Sequence, residues 1–283
     1  MTVRLRASAV ALPIEIGELD ANLARISDVL DSAEAVGPHL IVFPELATSG
    51  YVFRDGDEAR GLSMRADDPR LASLVAKVPV GAVAVLGFCE TDGDRLFNSA
   101  LIIGHDGILG RYRKSHLWGA EHDVFTPGTE AGAVFDTPIG RLGVAICYDN
   151  EFPELPRRLA LAGADVLALP VNWPLVDRPP NEHPPETIQA MAAARSSRLA
   201  TVIADRHGVE RGVQWTGGTT VISPDGWISA TPADGPIATA VLDLSNDKTL
   251  GAHNDLFADR RPELYGDVMF GPSSAIDKRG SHV

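Results

Sequence analysis

The sequence predicts an α/β protein whose two halves follow one plan, strand and helix first and an antiparallel meander after. Three observations predict it. Short continuous apolar runs at Leu40-Ile41-Val42-Phe43, Leu142 to Ile146 and Val166 to Leu169 have the length of strands buried on both faces. Stretches beside them carry apolar residues at helical spacing, such as Leu19, Leu23, Ile26 and Leu30. Elsewhere, alternating runs are separated by Asp-Gly turns, the mark of hairpins.

Taken in order, Val3 to Leu12 reads as a first strand ended by Pro13, and Glu18 to Ala35 as the first helix. The 40–43 strand ends in Pro44-Glu45 and a Thr48-Ser49-Gly50-Tyr51 turn. Pro69 to Lys77 can form a helix. Ala82 to Cys89, Phe97 to Ile103 and Ile108 to Arg113 then form a meander, with Asp92-Gly93 and His105-Asp106-Gly107 as its turns. Lys114-Ser115-His116-Leu117-Trp118 leaves the last strand for a loop that closes at Thr126-Pro127-Gly128.

The second half repeats the logic. Strand 142–146 hands over to helix 153–162 at Phe152-Pro153-Glu154, and strand 166–169 stops at Pro170-Val171-Asn172-Trp173-Pro174. The proline-rich loop 172–185 reads either as a functional loop or as a surface insertion. Thr187 to Leu199 is a helix and Thr201 to Ala204 a strand. Thr219 to Ser223, Gly226 to Ala230 and Ile237 to Leu242 read as a second meander turning at Pro224-Asp225-Gly226. No composition shift marks a linker, so residues 1–283 are expected to form a single domain. From about residue 245 the chain loses periodicity; a tail of this kind needs a surface to lie on, and an adjacent subunit would supply it.

Composition narrows the partners. With 283 residues, 45% hydrophobic and 22% charged, the chain can bury a large core. A formal net charge of -13 argues against nucleic acid and anionic membrane as partners, because both need a clustered basic surface. A small molecule or another subunit remains. Cys89 and Cys147 are the two cysteines, both in apolar runs; they are too few for a disulfide framework, which points to a reduced, cytoplasmic setting. No targeting segment and no apolar run of membrane-spanning length is read.

Three strand ends carry reactive side chains: Glu45, Lys114 and Cys147. In stacked α/β architectures such ends converge on one cleft. A carboxylate, an ammonium and a thiol there suffice for acyl transfer, as base, oxyanion partner and nucleophile. Cys147 also sits at a strand-to-helix turn, where N-H groups stabilise a thiolate. Singly, each residue also has a plain structural reading. Glu45 could pair with an Arg, Lys114 could be one more charge in Arg111-Tyr112-Arg113-Lys114, and Cys147 could be inert core.

Phe43-Pro44-Glu45 with Ser49-Gly50-Tyr51, then Tyr112-Arg113-Lys114-Ser115-His116-Leu117, then Cys147-Tyr148-Asp149 with Phe152-Pro153-Glu154 resemble the nitrilase (carbon-nitrogen hydrolase) superfamily in order and spacing. The resemblance extends to Asp259-Arg260-Arg261-Pro262-Glu263-Leu264-Tyr265 and so covers nearly the whole chain. It implies a four-layer α-β-β-α sandwich with mixed sheets, a Glu45-Lys114-Cys147 triad, homodimers or higher homo-oligomers, and no metal or organic cofactor. It also places Glu121 as a second glutamate positioning the lysine or the substrate, and the Lys114 ammonium with the Tyr148 backbone N-H as oxyanion donors. A Gln often seen near the end of the first strand in this superfamily is replaced by apolar Val10 or Ala11.

True nitrilases of the superfamily typically carry Trp-Glu after the cysteine, whereas Tyr148-Asp149 resembles the amidase branches. Cys-Tyr-Asp-x-Glu-Phe-Pro-Glu followed by Arg157-Arg158 resembles amidases of short aliphatic and ω-amino amides and some stereoselective carboxamide amidases. The expected reaction is hydrolysis of a small aliphatic or ω-amino carboxamide through a cysteine thioester. An N-carbamoyl amine or amino acid amidohydrolase is the runner-up, a nitrilase the third reading. An inactive binding subunit is disfavoured because all triad residues are present. Asn172 and Trp173 follow a strand end and are expected to line the pocket, with Tyr51 and Trp118 as further wall candidates. The acids Asp149 and Glu151, or Glu121, either receive a basic substrate end or simply suit a helix N-terminus.

Overall fold

The described residues from 3 to 245 hold two six-stranded mixed sheets, each with helices on its outer face. The computed structural model describes residues 3–36, 39–233, 235–245 and 247–265. The first half runs β1 (Val3–Val10), α1 (Leu19–Val36), β2 (Leu40–Val42), α2 (Gly56–Gly61), α3 (Pro69–Val75), β3 (Val83–Asp92), β4 (Arg95–Gly104) and β5 (Gly107–Arg113). The second runs β6 (Ala133–Thr137), β7 (Gly140–Val144), α4 (Glu154–Leu161), β8 (Val166–Pro170), α5 (Pro185–Ser197) and β9 (Ala200–Ala204). It closes with β10 (Val209–Glu210), β11 (Val213–Gln214), β12 (Thr220–Ile222), β13 (Ile228–Ala230) and β14 (Ile237–Leu244).

In the first sheet the order is β14-β1-β2-β3-β4-β5, and in the second β13-β12-β9-β8-β7-β6. Each has a parallel trio at its centre, β1-β2-β3 or β7-β8-β9, with antiparallel neighbours outside it. The apolar runs end up where continuous hydrophobicity requires: β2, β8 and β9 are buried along their whole length. Leu23, Ile26 and Leu30 of α1 and Leu71 and Leu74 of α3 pack on Ile41, Ala84 and Leu86 of the first sheet. Each such buried aliphatic side chain contributes about 1.5–3 kcal/mol. Across the interior, β1 and β2 face β9, and α5 covers β9 and β12 from outside. The layers are therefore α-β-β-α, as expected.

Helix boundaries follow local chemistry. Asp55 caps α2 by accepting from the Glu58 N-H, and Asp68 accepts from the Arg70 N-H with Pro69 opening α3, where its missing N-H costs nothing.

Several elements differ from the sequence reading. The expected second meander is divided: β12 and β13 form a hairpin in the second sheet, while β14 crosses over to lie antiparallel to β1, from Val3↔Leu244 to Val10↔Ile237. Pro232 and Pro236, which lack ladder donors, separate the two. The edge strand β6 is half-exposed and has no buried apolar run to announce it. At the strand-to-helix turn, as expected, Cys147 lies ahead of α4, and it opens a 3-10 turn, Cys147–Glu151.

Residues 247–265 belong to a separate compact unit. Its described part holds an antiparallel pair, Thr249–Leu250 with Asn254–Asp255, and a 3-10 turn Pro262–Leu264. The rest of the tail expected at a subunit interface, 266–283, lies outside the described residues. No helix among the described residues is long and apolar enough to cross a membrane.

Candidate active site

The C-terminal ends of β2, β5 and β7 deliver Glu45, Lys114 and Cys147. Glu45 is fully buried, just past β2, and its chain passes so close to β3 that Gly87 is required there: a Cβ at Gly87 would lie 2.3 Å from Pro44 O and 2.7 Å from Glu45 Cα. Glu45 Oε1 accepts from Lys114 Nζ and from Asn98 Nδ2, each at 2.7 Å. Its Oε2 is buried without a hydrogen-bond partner among the described residues. Burial is the main reason its pKa is raised to about 7, with the Lys114 charge opposing and Glu121 adding to the rise.

Lys114, 1% exposed, leaves β5 pointing inward. Its ammonium also donates to Glu121 Oε1 at 2.7 Å. Burial alone would discharge it, but Glu45 and Glu121 together hold its pKa well above the usual lysine value. Glu121 is fixed from several sides: the Tyr51 hydroxyl donates to Oε1 at 2.7 Å, Asn98 Nδ2 at 3.3 Å, and the Trp118 backbone N-H donates to Oε2 at 2.9 Å.

Cys147 has φ 48°, left-handed backbone that non-glycine residues rarely adopt, and Leu46, next to Glu45, has the same value. The turn is held by Asp149, which is fully buried. Asp149 Oδ2 accepts from the Ile146 N-H at 3.0 Å and the Tyr112 hydroxyl at 2.8 Å. Its Oδ1 accepts from the His116 N-H at 3.0 Å and the Ser115 hydroxyl at 3.0 Å, and lies 2.7 Å from His116 Nδ1. One carboxylate therefore ties the cysteine turn to the Tyr112–His116 segment that carries Lys114. Cys147 Sγ faces the Asn172 carbonyl oxygen at 3.9 Å. Burial first, then the Glu45 carboxylate, push its pKa well above that of a free thiol, and Lys114 opposes both.

Cys147 opens into a cavity of about 240 Å³ with Tyr148, Asn172, Trp173 and Trp118 in its wall and Glu151 and Glu186 also facing it. Of the residues expected there, Tyr51 is placed differently: it lines a neighbouring cavity of about 430 Å³, where it meets Trp215 edge-on at 5.4 Å. Trp118 borders both cavities. Asn172 is 1% exposed; its Nδ2 donates to the Glu45 carbonyl at 2.9 Å, joining the strand ends of the two sheets. Trp173 is buried, with Asp205 accepting from its backbone N-H at 3.1 Å. Asp149 and Glu121, read as possible receivers of a basic substrate, are instead occupied by the protein's own donors.

Asn98, Asp205 and Glu186 were not singled out from the sequence. A polar residue inside the apolar stretch Leu96 to Ile103 marks Asn98, and the strand-end rule that found Glu45 applies equally to Asp205, directly after β9. Asp205 is buried, which raises its pKa to about 7 although it accepts from the Gly218, Trp173 and Arg206 N-H groups. Glu186 gives no signal beyond that of an acid opening a helix. Among the described residues no group of three or more His, Cys, Asp or Glu is spaced to hold a metal ion.

An α-β-β-α sandwich with an acid, an amine and a thiol gathered at its strand ends defines a class, that of the nitrilase fold. An amidase from Nesterenkonia sp. superposes with a TM-score of 0.75 at 25% identity, over 92% of this chain and 95% of that one. Residues 6–249 match the carbon-nitrogen hydrolase family model, and the chain belongs to that family of hydrolases acting on carbon-nitrogen bonds other than peptide bonds. Among relatives, it is 34% identical to a protein of Pyrococcus abyssi named nitrilase, over 92% of this chain and 99% of that one. It is 31% identical to an (R)-stereoselective amidase of a Pseudomonas species, over 90% and 91%.

Proposed function

We propose that the protein is an amidase that hydrolyses a small aliphatic carboxamide, ω-amino forms included, to a carboxylate and ammonia. The observation that carries this reading is the buried contact of Lys114 with both Glu45 and Glu121 beside the Cys147 cavity. Glu45 is the general base: its pKa near 7 suits proton transfer in both directions at neutral pH. The Cys147 thiol gives its proton to Glu45 as sulfur attacks the amide carbon, so the poorly acidic thiol need not ionise beforehand. Negative charge then develops on the carbonyl oxygen. The Lys114 ammonium and the Tyr148 N-H, in the first turn of a 3-10 segment where N-H groups lack intrahelical acceptors, are its donors. Collapse breaks the carbon-nitrogen bond, Glu45 returns the proton to the leaving nitrogen, and ammonia departs from a thioester. Water, deprotonated by Glu45, adds to the thioester, and the carboxylate leaves as the thiol is restored.

The choice of amide over nitrile rests on Tyr148-Asp149 after the nucleophile and on the amidase names of the Pseudomonas and Nesterenkonia proteins. The Pyrococcus protein's name points to the nitrile. The test is ammonia release from matched amide, N-carbamoyl and nitrile substrates. Release from the amide, a thioester adduct on Cys147 seen by mass spectrometry, and loss of both in Cys147→Ala are expected. Unchanged turnover in that variant overturns the mechanism, and turnover of only the nitrile or N-carbamoyl member overturns the substrate class.

A further inference from the structure

Lys114 shares its acceptor Glu121 Oε1 with a second donor, the Tyr51 hydroxyl, each at 2.7 Å. Burial first, then the Glu121 charge, hold the Tyr51 pKa well above the usual tyrosine value, so the hydroxyl stays a donor. Tyr51 itself belongs to no helix or strand. Its place therefore depends on what grips the loop.

Glu210 of β10 supplies the grip. It is 4% exposed, and its Oε1 accepts from the N-H groups of Tyr51 at 2.8 Å and of Val52 at 2.7 Å. The residue before them lies hard against the same carboxylate: Gly50 has φ 85°, and a Cβ there would stand 2.9 Å from Glu210 Oε2 and 2.6 Å from Ile16 Cα. Glu210 Oε2 in turn forms an ion pair with Arg206 Nη2 at 2.7 Å. Arg206, 2% exposed, also donates from Nη2 to the Ile14 carbonyl at 2.8 Å. Its guanidinium lies 5.1 Å from the centre of the Trp215 ring, the ring that meets Tyr51 edge-on. One arginine thus touches both supports of Tyr51, the carboxylate under its backbone and the ring beside its side chain. A buried ion pair adds little net stability over apolar side chains of the same volume, so the reason for this one lies in what it holds in place.

We propose that Glu210, held by Arg206, is a positioning residue for the reaction: it fixes the Tyr51 backbone so that the hydroxyl meets Glu121, and through Glu121 it sets where Lys114 stands. This deepens the amidase reading and rests on it only for the part Lys114 plays at the oxyanion. Without the anchor the hydroxyl leaves Glu121 Oε1, and Lys114 closes further onto that oxygen and away from Glu45 and the reacting carbonyl. Neither Arg206 nor Glu210 lines the Cys147 cavity, so the effect falls on turnover rather than on substrate binding.

The test is a double-mutant cycle with Tyr51. Arg206→Met/Glu210→Leu removes both charges together, because losing one partner alone leaves a buried charge unpaired. With active sites counted by iodoacetamide titration, kcat is expected to fall at least about tenfold, but less than the order of 10²-fold that goes with a full ångström of misplacement. KM is expected to stay within about twofold, as for an interaction felt only in the transition state. Tyr51→Phe should lower kcat by at least as much. In the Tyr51→Phe background the Arg206→Met/Glu210→Leu pair should cost no more than about twofold further, since it acts through a hydroxyl that is no longer there. Glu210→Gln keeps the volume and one acceptor oxygen, which can serve the two N-H groups or Arg206 but not both; its kcat is expected between wild type and the double variant. The same cycle is run on it where the double variant yields too little folded protein. Wild-type kcat in Arg206→Met/Glu210→Leu overturns the proposal, as does a loss confined to KM. So do losses that multiply across the cycle, which assign the pair an effect independent of Tyr51. The cycle uses whichever of the matched amide, N-carbamoyl and nitrile substrates is turned over: turnover of another class overturns the amide, while the cycle still decides on Glu210.

Discussion

Lys114 Nζ donates to Glu45 Oε1 and to Glu121 Oε1 at the same distance, 2.7 Å. The ammonium is thus balanced between two carboxylates rather than closed onto the proposed base. Removing the Glu121 charge frees Lys114 to neutralise Glu45, and Gln, with one acceptor oxygen in place of two, can serve either Tyr51 and Lys114 or the Trp118 N-H but not both sides. Glu121→Gln is expected to lower kcat by about 10²–10³-fold, the cost typical of a lost or misplaced oxyanion donor. Steady-state kinetics with an iodoacetamide titration checks it: the thiol should still alkylate, showing an intact nucleophile with a misdirected lysine. Full activity in this variant would falsify the positioning role.

Because burial raises Glu45 to about pKa 7, its basic form is lost as pH falls through neutrality. kcat/KM is expected to drop on the acid side with an inflection near 7, approaching tenfold per pH unit below it. The rate of Cys147 alkylation should show the same inflection, since its own pKa is too high to supply thiolate there. In Glu45→Gln both inflections should vanish. An unchanged alkylation profile in that variant would assign the ionisation to another group.

Asp149 predicts a stability effect distinct from any direct chemistry. In Asp149→Ala the buried Ile146 N-H and the His116 N-H lose their acceptor, and the Tyr112 and Ser115 hydroxyls keep only each other, so that one of them is also stranded, at about 1–3 kcal/mol for each group left unsatisfied. A loss of at least about 3 kcal/mol is expected in urea unfolding. His116→Ala should cost less, because the ring is part-exposed and stacked on Phe152 at 3.9 Å, leaving the backbone contacts to Asp149 in place. Equal costs for the two variants would show that the ring, not the carboxylate, holds the turn.

The contrast between Asp149 and Glu45 explains what was legible in the chain. Both are acids beside apolar strands, yet Glu45 could be singled out because β2 is a continuous apolar run whose end must lie at the sheet rim. The same logic found Lys114, Cys147 and Asn172. Asp149 was visible as a residue but not as a clamp, since its donors come from Tyr112, Ser115 and His116, and their convergence is a product of sheet packing rather than spacing. Glu186 was invisible for the same reason: it reaches the cavity only because α5 lies over the second sheet. Likewise the pattern of β14 showed a strand, but nothing local told it to pair with β1 instead of β13. Periodicity reports which face of an element is buried, while partner choice across the two sheets is settled by long-range fit.

Gly87 offers the sharpest test of how the fold sets the site, because it lies on β3 and carries no functional group. A Cβ there would stand 2.3 Å from Pro44 O, 2.6 Å from Leu46 N and 2.7 Å from Glu45 Cα, all backbone atoms that cannot swing aside. Gly87→Ala must therefore push the Pro44–Leu46 segment away from β3, and Glu45 moves with it relative to Lys114 and Cys147. Misplacement of a reacting group by about 1 Å costs on the order of 10²-fold in rate. The expected result is a fall in kcat of that order, with the acid-side inflection displaced because the burial of Glu45 changes. Gly56→Ala is the control, since a Cβ there meets nothing within 4 Å, and should leave both kcat and the pH profile as they are. If Gly87→Ala keeps wild-type kcat and pH dependence, the position of Glu45 is not set by its contact with β3, and the strand-end geometry is held by its hydrogen bonds with Lys114, Asn98 and Asn172.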